Sequence, residues 1–299
     1  MAKIIITGGS GFMGKALYSL FKKDGNQVII ISRNKPEWVD VSDFATWDGR
    51  TTGAWTIHLE GASAIINLAG KSVDCRYTDK NKSLIMSSRI NATKAVAAAI
   101  QLCTTPPTIW LNAASATIYR HAEDHYQTES AGEIQNDFSV QVCKAWEQAF
   151  FESNAKVRKV ALRISIVLGD GSALKPLKIL TKLGMGGPMG KGTQRFSWVH
   201  IEDVYKSIRF IIDSTLEGPV NIVSPNAITN KAMMKAMRKN IGIQFGIPQP
   251  EWLLKFGAML IGTEAELILK SRWVYPERLL DAGFQFKYTN IDGALASLN

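Results

Sequence analysis

Cysteine is scarce and unpatterned in this chain. Cys75, Cys103 and Cys143 are the only three in 299 residues, an odd set without C-x-x-C spacing. A disulfide framework and a cysteine-held metal are thereby excluded, and reduced thiols in a cytoplasm are expected. His58, His121 and His125 show no ligand spacing with acids, so no metal site is expected. Long apolar runs are missing too; none reaches the length of a bilayer span. The first residues already read as a strand rather than as a charged stub with a cleavage site, so a cytoplasmic protein without membrane attachment is expected. Basic residues exceed acidic ones, 35 against 26, for a net charge of +9. They form no block or arginine-rich arm, so no nucleic-acid partner is expected. Anionic cofactors or substrates account for the excess.

The informative stretch is Lys3 to Gly14, KIIITGGSGFMG. A short buried strand breaks into glycines and then into a helix from about Phe12. Glycines let the backbone turn tightly and approach a phosphate, while the helix presents N–H groups and its positive dipole end. Gly9, Gly11 and Gly14 fit G-x-G-x-x-G; Gly8, Gly11 and Gly14 give G-x-x-G-x-x-G. With Thr7, Ser10, Phe12 and Met13 between them, they are the expected dinucleotide-phosphate cradle. A second strand, Val28 to Ile31, ends at Ser32-Arg33-Asn34, with no acid before Glu37. An acid at that place bonds the ribose 2′-hydroxyl of NAD, whereas an arginine accommodates the 2′-phosphate of NADP. NADP(H) is therefore favoured over NAD(H).

Further strands are expected at Ala64–Leu68, Thr108–Asn112 and Val157–Ile164, with helices at Asp79–Leu102 and Phe138–Glu152. Strands alternating with helices give an α/β chain, a Rossmann-type doubly wound parallel sheet. After Gly169 the character changes. A glycine-rich loop, Gly184 to Gly192, is expected as a lid or wall, and Val204–Ser214 as a helix. Val220–Val223 reads as one more strand, and mainly helical sequence follows from Thr229. Met233, Met234 and Met237 read as core filler, and Trp252–Ile261 as a buried helix. Residues 1–169 thus form an NADP-binding domain to which 196–226 returns. Residues 170–299 form a smaller, mainly helical substrate-side domain.

Four segments occur in the order seen in extended short-chain dehydrogenases/reductases: Thr7–Gly14, Asn67-Leu68-Ala69-Gly70, Ser115-Ala116-Thr117-Ile118-Tyr119 and Trp198–Val204. Ser88–Thr93, Val142–Glu147, Gly186-Gly187-Pro188 and Pro276–Phe284 are similar to an atypical branch, the epimerase family of NAD-dependent epimerase/dehydratase-like proteins. The resemblance spans essentially the whole length. It implies a Rossmann fold with Leu68, Ala69 and Gly70 at the cofactor. It also implies a nucleotide sugar or other small carbonyl compound as substrate, and a homodimer paired through the two long helices. Ser115 holds the family's serine position. The family's Tyr-x-x-x-Lys pair is missing. Aligned on Glu147 its positions hold Ser139 and Cys143; shifted by one they hold Val140 and Lys144. Tyr18 and Lys22 have the spacing but lie on the helix after the glycine loop, so they are a decoy.

Ser115 and Tyr119 are the candidates for a substitute proton relay. Tyr119 could equally be a packing ring. On the substrate side stand Arg76 as an anion clamp or a solvated loop residue, Cys143 as a buried thiol in the lysine's place, and His200 as a structural histidine at a domain junction. Two functions stay open. One is an NADP(H)-dependent oxidoreductase or nucleotide-sugar epimerase-like enzyme; the other is a catalytically reduced NADPH-binding sensor or scaffold. The residues lining the gap at Ser139 and Cys143 discriminate them: a tyrosine or charged group reaching in from elsewhere favours the enzyme, an apolar plug the binder.

Overall fold

A computed structural model describes residues 1–171 and 174–298. In chain order the first half runs β1 (Lys3–Thr7), α1 (Phe12–Lys23), β2 (Gln27–Ser32), β3 (Phe44–Thr46), β4 (Ala64–Asn67), α2 (Asp79–Gln101), β5 (Ile109–Ser115), α3 (Phe138–Phe151) and β6 (Arg158–Ile164). There follow β7 (Ile166–Leu168), α4 (Leu174–Leu180), β8 (Arg195–Phe196), β9 (Trp198–His200), α5 (Ile201–Asp213) and β10 (Gly218–Ile222). The remainder is β11 (Ile228–Thr229), α6 (Asn230–Asn240), α7 (Glu251–Ile261), α8 (Glu266–Leu269), α9 (Glu277–Asp281) and α10 (Ile291–Ala296). The main sheet has seven strands in the order β10-β6-β5-β4-β1-β2-β3. All its pairings are parallel.

The period-two geometry of a strand explains why short isoleucine runs build this sheet. Ile4 and Ile6 point to one face with Val28, Ile30 and Ile66, and there meet Leu17 and Phe21 of α1 and Val204, Ile208 and Ile211 of α5. Ile5, Ile29, Ile31 and Ile65 point to the other face, against Ala92, Ala95, Val96 and Ala99 of α2 and Phe150 of α3. Both faces are covered, as a parallel sheet requires. The strand at Gly218–Ile222 pairs with β6 and closes one edge.

The C-terminal lobe has its own core, in which Met233 and Met237 of α6 pack with Trp198, Leu168 and Leu295. Helix α7 departs from expectation. It is a helix, but Trp252, Phe256, Met259 and Leu260 are exposed, and Ala258 is a buried contribution to the interior. An almost uniformly apolar segment carries no polar face to mark which side meets water, so its sequence overstates its burial. Among the described residues, no helix is long and apolar enough to cross a membrane.

The lobes are tied together by Asp203. Its fully buried carboxylate accepts the Lys287 N–H at 2.8 Å and the Tyr288 N–H at 2.9 Å. Asp203→Ala leaves both donors without their partner and should lower the unfolding free energy by about 3 kcal/mol, measured by urea denaturation. An unchanged midpoint would show that the junction does not depend on this carboxylate.

Candidate active site at the carboxyl edge of the sheet

The strand ends are locked by a buried polar ladder. Thr7 Oγ1 donates to Asn67 Oδ1 at 2.9 Å, Asn67 Nδ2 to Asn112 Oδ1 at 2.7 Å, and Asn112 Nδ2 to the Ala113 carbonyl at 2.9 Å. Asn67 Oδ1 also accepts the Ala69 N–H at 3.1 Å. Three neighbouring strands are thus fixed where their loops begin.

Gly8 follows at φ +69°, and a Cβ there would lie 2.4 Å from the Ala69 backbone. Only glycine allows the two loops to pass so closely. At Gly14 a Cβ would lie 2.0 Å from the Gly9 carbonyl oxygen, so this glycine lets α1 seat against its own loop. Gly11 is the N-cap of the 12-residue α1 and no side chain caps that helix. A Cβ at Gly11 would meet no atom within 4 Å, so the approach to the first turn is unobstructed. Uncapped N–H groups with open access suit an anion. Phe12 lies against Gly169, and Met13 packs on the core. At the end of β2, Ser32 is buried and donates to the Asn34 carbonyl at 2.9 Å. That bond turns the chain and leaves Arg33 and Asn34 exposed.

Ser115 ends β5, and its half-buried Oγ accepts the Thr117 N–H at 3.2 Å. Tyr119 does not accompany it to the cleft. The short 3₁₀ turn Ala116–Ile118 directs the tyrosine inward, where it is 1% exposed. There its hydroxyl donates to Asn221 Oδ1 at 2.9 Å and accepts from Arg163 Nη1 at 2.8 Å. Arg163 in turn grips Glu147 with two bonds of 2.8 Å. Burial raises the Tyr119 pKa against the opposing pull of Arg163. This hydroxyl is committed to the core, which corrects its expected place beside the cleft.

Other candidates also have assigned partners. Tyr18 and Lys22 both bind Asp43, each at 2.8 Å, so that pair fastens α1 to the segment before β3. Arg76 binds the Thr263 carbonyl at 3.0 Å and Glu264 at 3.1 Å, clasping the loop after β4 to the C-terminal lobe. Burial pushes the Cys143 thiol up to about 12, which leaves it protonated and inert as a nucleophile. His200 is 1% exposed, and its Nδ1 accepts the Glu202 N–H at 3.2 Å. Its Nε2 faces Ser297 Oγ at 3.2 Å, and its ring lies on Tyr288. It caps α5 at the lobe junction.

The gap has two unlike ends: Cys143 is buried in an apolar cluster with Ala116, Ile118, Val223 and Val274, and the Ser139 end is polar. Ser139 Oγ donates to Glu266 Oε1 at 2.7 Å. The Tyr77 ring packs on Phe138, the neighbour of Ser139, with centroids 5.0 Å apart. Arg89 covers Gly70, stacks on Trp146 at 4.9 Å and donates to the Lys71 and Ile85 carbonyls. Arg89, Arg272 and Arg163 all lie within electrostatic reach of the Cys143 thiol. Tyr77, Glu266 and Arg272 carry no local signature, because the gap collects them from distant parts of the chain. Arg89 lies inside the Ser88–Thr93 segment, whose spacing shows the segment but not its role.

The profile of the NAD dependent epimerase/dehydratase family matches residues 4–224, and one described as a domain of unknown function matches 249–298. The chain belongs to the NAD dependent epimerase/dehydratase family. It is 33% identical to epimerase family protein YfhF of Bacillus subtilis over 301 residues, covering 99% of this chain and 97% of the relative. The human epimerase family protein SDR39U1, solved with NADPH, superposes with a TM-score of 0.87 at 26% identity, covering 99% of this chain and 98% of that one. A nucleoside-diphosphate sugar epimerase from Corynebacterium glutamicum gives 0.79 at 30% identity, covering 99% of this chain and 58% of that one. These relatives place the chain among the atypical extended short-chain dehydrogenases/reductases.

His200 generates a pH prediction. Burial lowers its pKa from 6.5 to about 4. The unfolded chain therefore binds the extra proton first, and stability falls as pH drops from about 6.5 to about 4, by about 2 kcal/mol. Above that window the stabilisation is fully present. H200N keeps a capping oxygen but not the titration, so urea midpoints compared at pH 7.5 and 4.5 should fall less in the variant. Equal falls would assign the acid sensitivity elsewhere.

Proposed function

We propose that this chain is an NADP(H)-dependent oxidoreductase or nucleotide-sugar epimerase-like enzyme acting on a small carbonyl or alcohol substrate in the cytoplasm. The observation that carries this reading is the Ser139 end of the gap, where Tyr77 and the Glu266 carboxylate reach in, with Arg89 beside them. The uncapped helix α1, the close-packed glycines and the exposed Arg33 fit a dinucleotide carrying a 2′-phosphate. The NADPH in the human relative supports that choice of cofactor.

When bound, the nicotinamide supplies or accepts a hydride at the substrate carbon. Ser115, at the end of β5, orients the substrate oxygen. Tyr77 moves the proton. Burial raises its pKa, so it stays protonated at neutral pH and donates to the oxygen that gains charge. The two hydroxyls thus replace a relay that Tyr119 cannot provide from within the core.

Two measurements test this reading. NADPH deuterated at the nicotinamide 4-position should pass label to at least one product from a panel of small carbonyls, or NADP+ should support inversion of a carbinol centre in at least one of a panel of sugar nucleotides. Tyr77→Phe should cut that rate by about 10²–10⁴-fold. Tight NADPH binding with neither transfer nor inversion would instead support a sensor or scaffold. In binding assays Arg33→Asp should erase a preference for NADPH over NADH of roughly ten- to a hundredfold. Equal affinities in the unmutated protein would remove the argument for the phosphorylated cofactor.

A further inference from the structure

The stretch between β4 and α2, residues 68–78, has no regular secondary structure, and its first turn borders the glycine loop. A Cβ at Gly8 would lie 2.4 Å from the Ala69 Cα and 2.5 Å from its nitrogen, so the two loops touch through their backbones. Asn67 holds the start of this turn at the Ala69 N–H. The end of the turn is held from α2. Ser88 Oγ accepts the Lys71 N–H at 2.9 Å, and Arg89 Nη1 donates to the Lys71 carbonyl at 2.9 Å. Both backbone groups of one residue are thus gripped by two consecutive side chains that stand 17 and 18 positions further along the chain.

The grip is itself fixed. Ser88 Oγ donates to the Ile85 carbonyl at 3.2 Å, and Arg89 Nη1 donates to the same carbonyl at 3.0 Å. The guanidinium lies 4.9 Å from the centre of the Trp146 ring on α3. Trp146 Nε1 in turn donates to Thr93 Oγ1 on α2 at 3.1 Å, which keeps the ring in place. The side chain of Arg89 also covers Gly70, where a Cβ would lie 3.2 Å from Arg89 Cγ. A planar guanidinium can donate within its plane and stack on a ring with its face at the same time, which an ammonium cannot.

Strand order decides which part of a dinucleotide this turn meets. Across its middle the sheet runs β5-β4-β1-β2. A dinucleotide with its 2′-phosphate at Arg33, past β2, and its pyrophosphate at the glycine loop, past β1, extends its nicotinamide half toward the ends of β4 and β5. We infer that Ser88 and Arg89 are positioning residues for that nicotinamide half: from α2 they hold the Gly70–Lys71 turn in the shape that receives it. The inference rests on the reading of this edge as the NADP(H) site, and it adds what fixes one wall of that site. Released from α2, a turn without regular structure would sample many shapes, and ordering it on binding would cost affinity. The Ser88–Thr93 segment and Trp146 thereby gain a role that their own positions in the sequence do not disclose.

The test compares two ligands on the full-length chain by isothermal titration. One is NADPH; the other is 2′,5′-ADP, the adenosine fragment that carries the 2′-phosphate but no nicotinamide. Melting temperatures of the free proteins are measured alongside. Arg89→Met should weaken NADPH by about tenfold or more, as loss of a hydrogen bond from a charged group does, and leave 2′,5′-ADP unchanged. Ser88→Ala deletes a single oxygen and serves where the methionine variant folds poorly. It should weaken NADPH by about fivefold and again leave the fragment unchanged. Residues that only braced the fold would lower the melting temperature and leave both affinities as they were. Unchanged NADPH affinity in both variants would therefore overturn the inference, as would parallel weakening of NADPH and 2′,5′-ADP. Failure of the unmutated chain to bind NADPH at all would instead sink the reading of this edge as a cofactor site, and the inference with it.

Discussion

The ladder of Thr7, Asn67 and Asn112 is the contact on which the carboxyl edge of the sheet depends. Each of these side chains is at most 1% exposed. Each bond contributes about 1 kcal/mol net, and breaking one leaves a buried polar group without a partner at a cost of about 1–3 kcal/mol. Strand pairing alone sets the register of β1, β4 and β5. The ladder adds a polar brace at the point where each strand becomes a loop. The glycine turn begins one residue past Thr7, the Leu68–Gly70 turn one past Asn67, and Ser115 stands three past Asn112. The glycine turn, the Leu68–Gly70 turn and Ser115 therefore hang from one row.

Beneath that row the core keeps charged groups that the chemistry does not use. Arg163, Glu147, Tyr119 and Asn221 satisfy one another almost completely, and they join β6, α3, the turn after β5 and β10. A network so closed has no proton to spare. Outside that network lie Ser139, bonded to Glu266, and Arg89, bonded to two backbone carbonyls.

How far the sequence could be read follows the range of the forces involved. The strands of the main sheet and helices α1, α2, α3 and α5 are legible because hydrophobic runs, glycine stops and capping residues are local. Helix α2, for example, starts after Thr78, whose hydroxyl accepts the Asn81 N–H, within the expected span. The methionine stripe of α6 likewise reads as core from its own spacing. Trp252–Ile261 does not, since its burial depends on what packs against it rather than on its own composition. The cradle of Thr7–Gly14 is legible for the same local reason as the strands. Tyr119 misleads because three residues of 3₁₀ turn decide whether a ring faces cleft or core. The gap is located at Ser139 and Cys143 in the sequence, but its lining is illegible: Tyr77 reaches Phe138 from the loop before α2, and Glu266 reaches Ser139 from the C-terminal lobe. Arg76, which reads equally as an anion clamp or a solvated loop residue, binds the Thr263 carbonyl and Glu264.

The account stands on a pyrophosphate held by the main-chain N–H groups between β1 and α1. Isothermal titration of the ligand-stripped protein with NADPH tests this most directly. The account predicts a saturable heat with one dinucleotide per chain, lost when Gly11 is replaced by a bulky residue that fills the open approach to the helix. No heat from NADPH or NADH, or equal binding by the Gly11 variant, would contradict it.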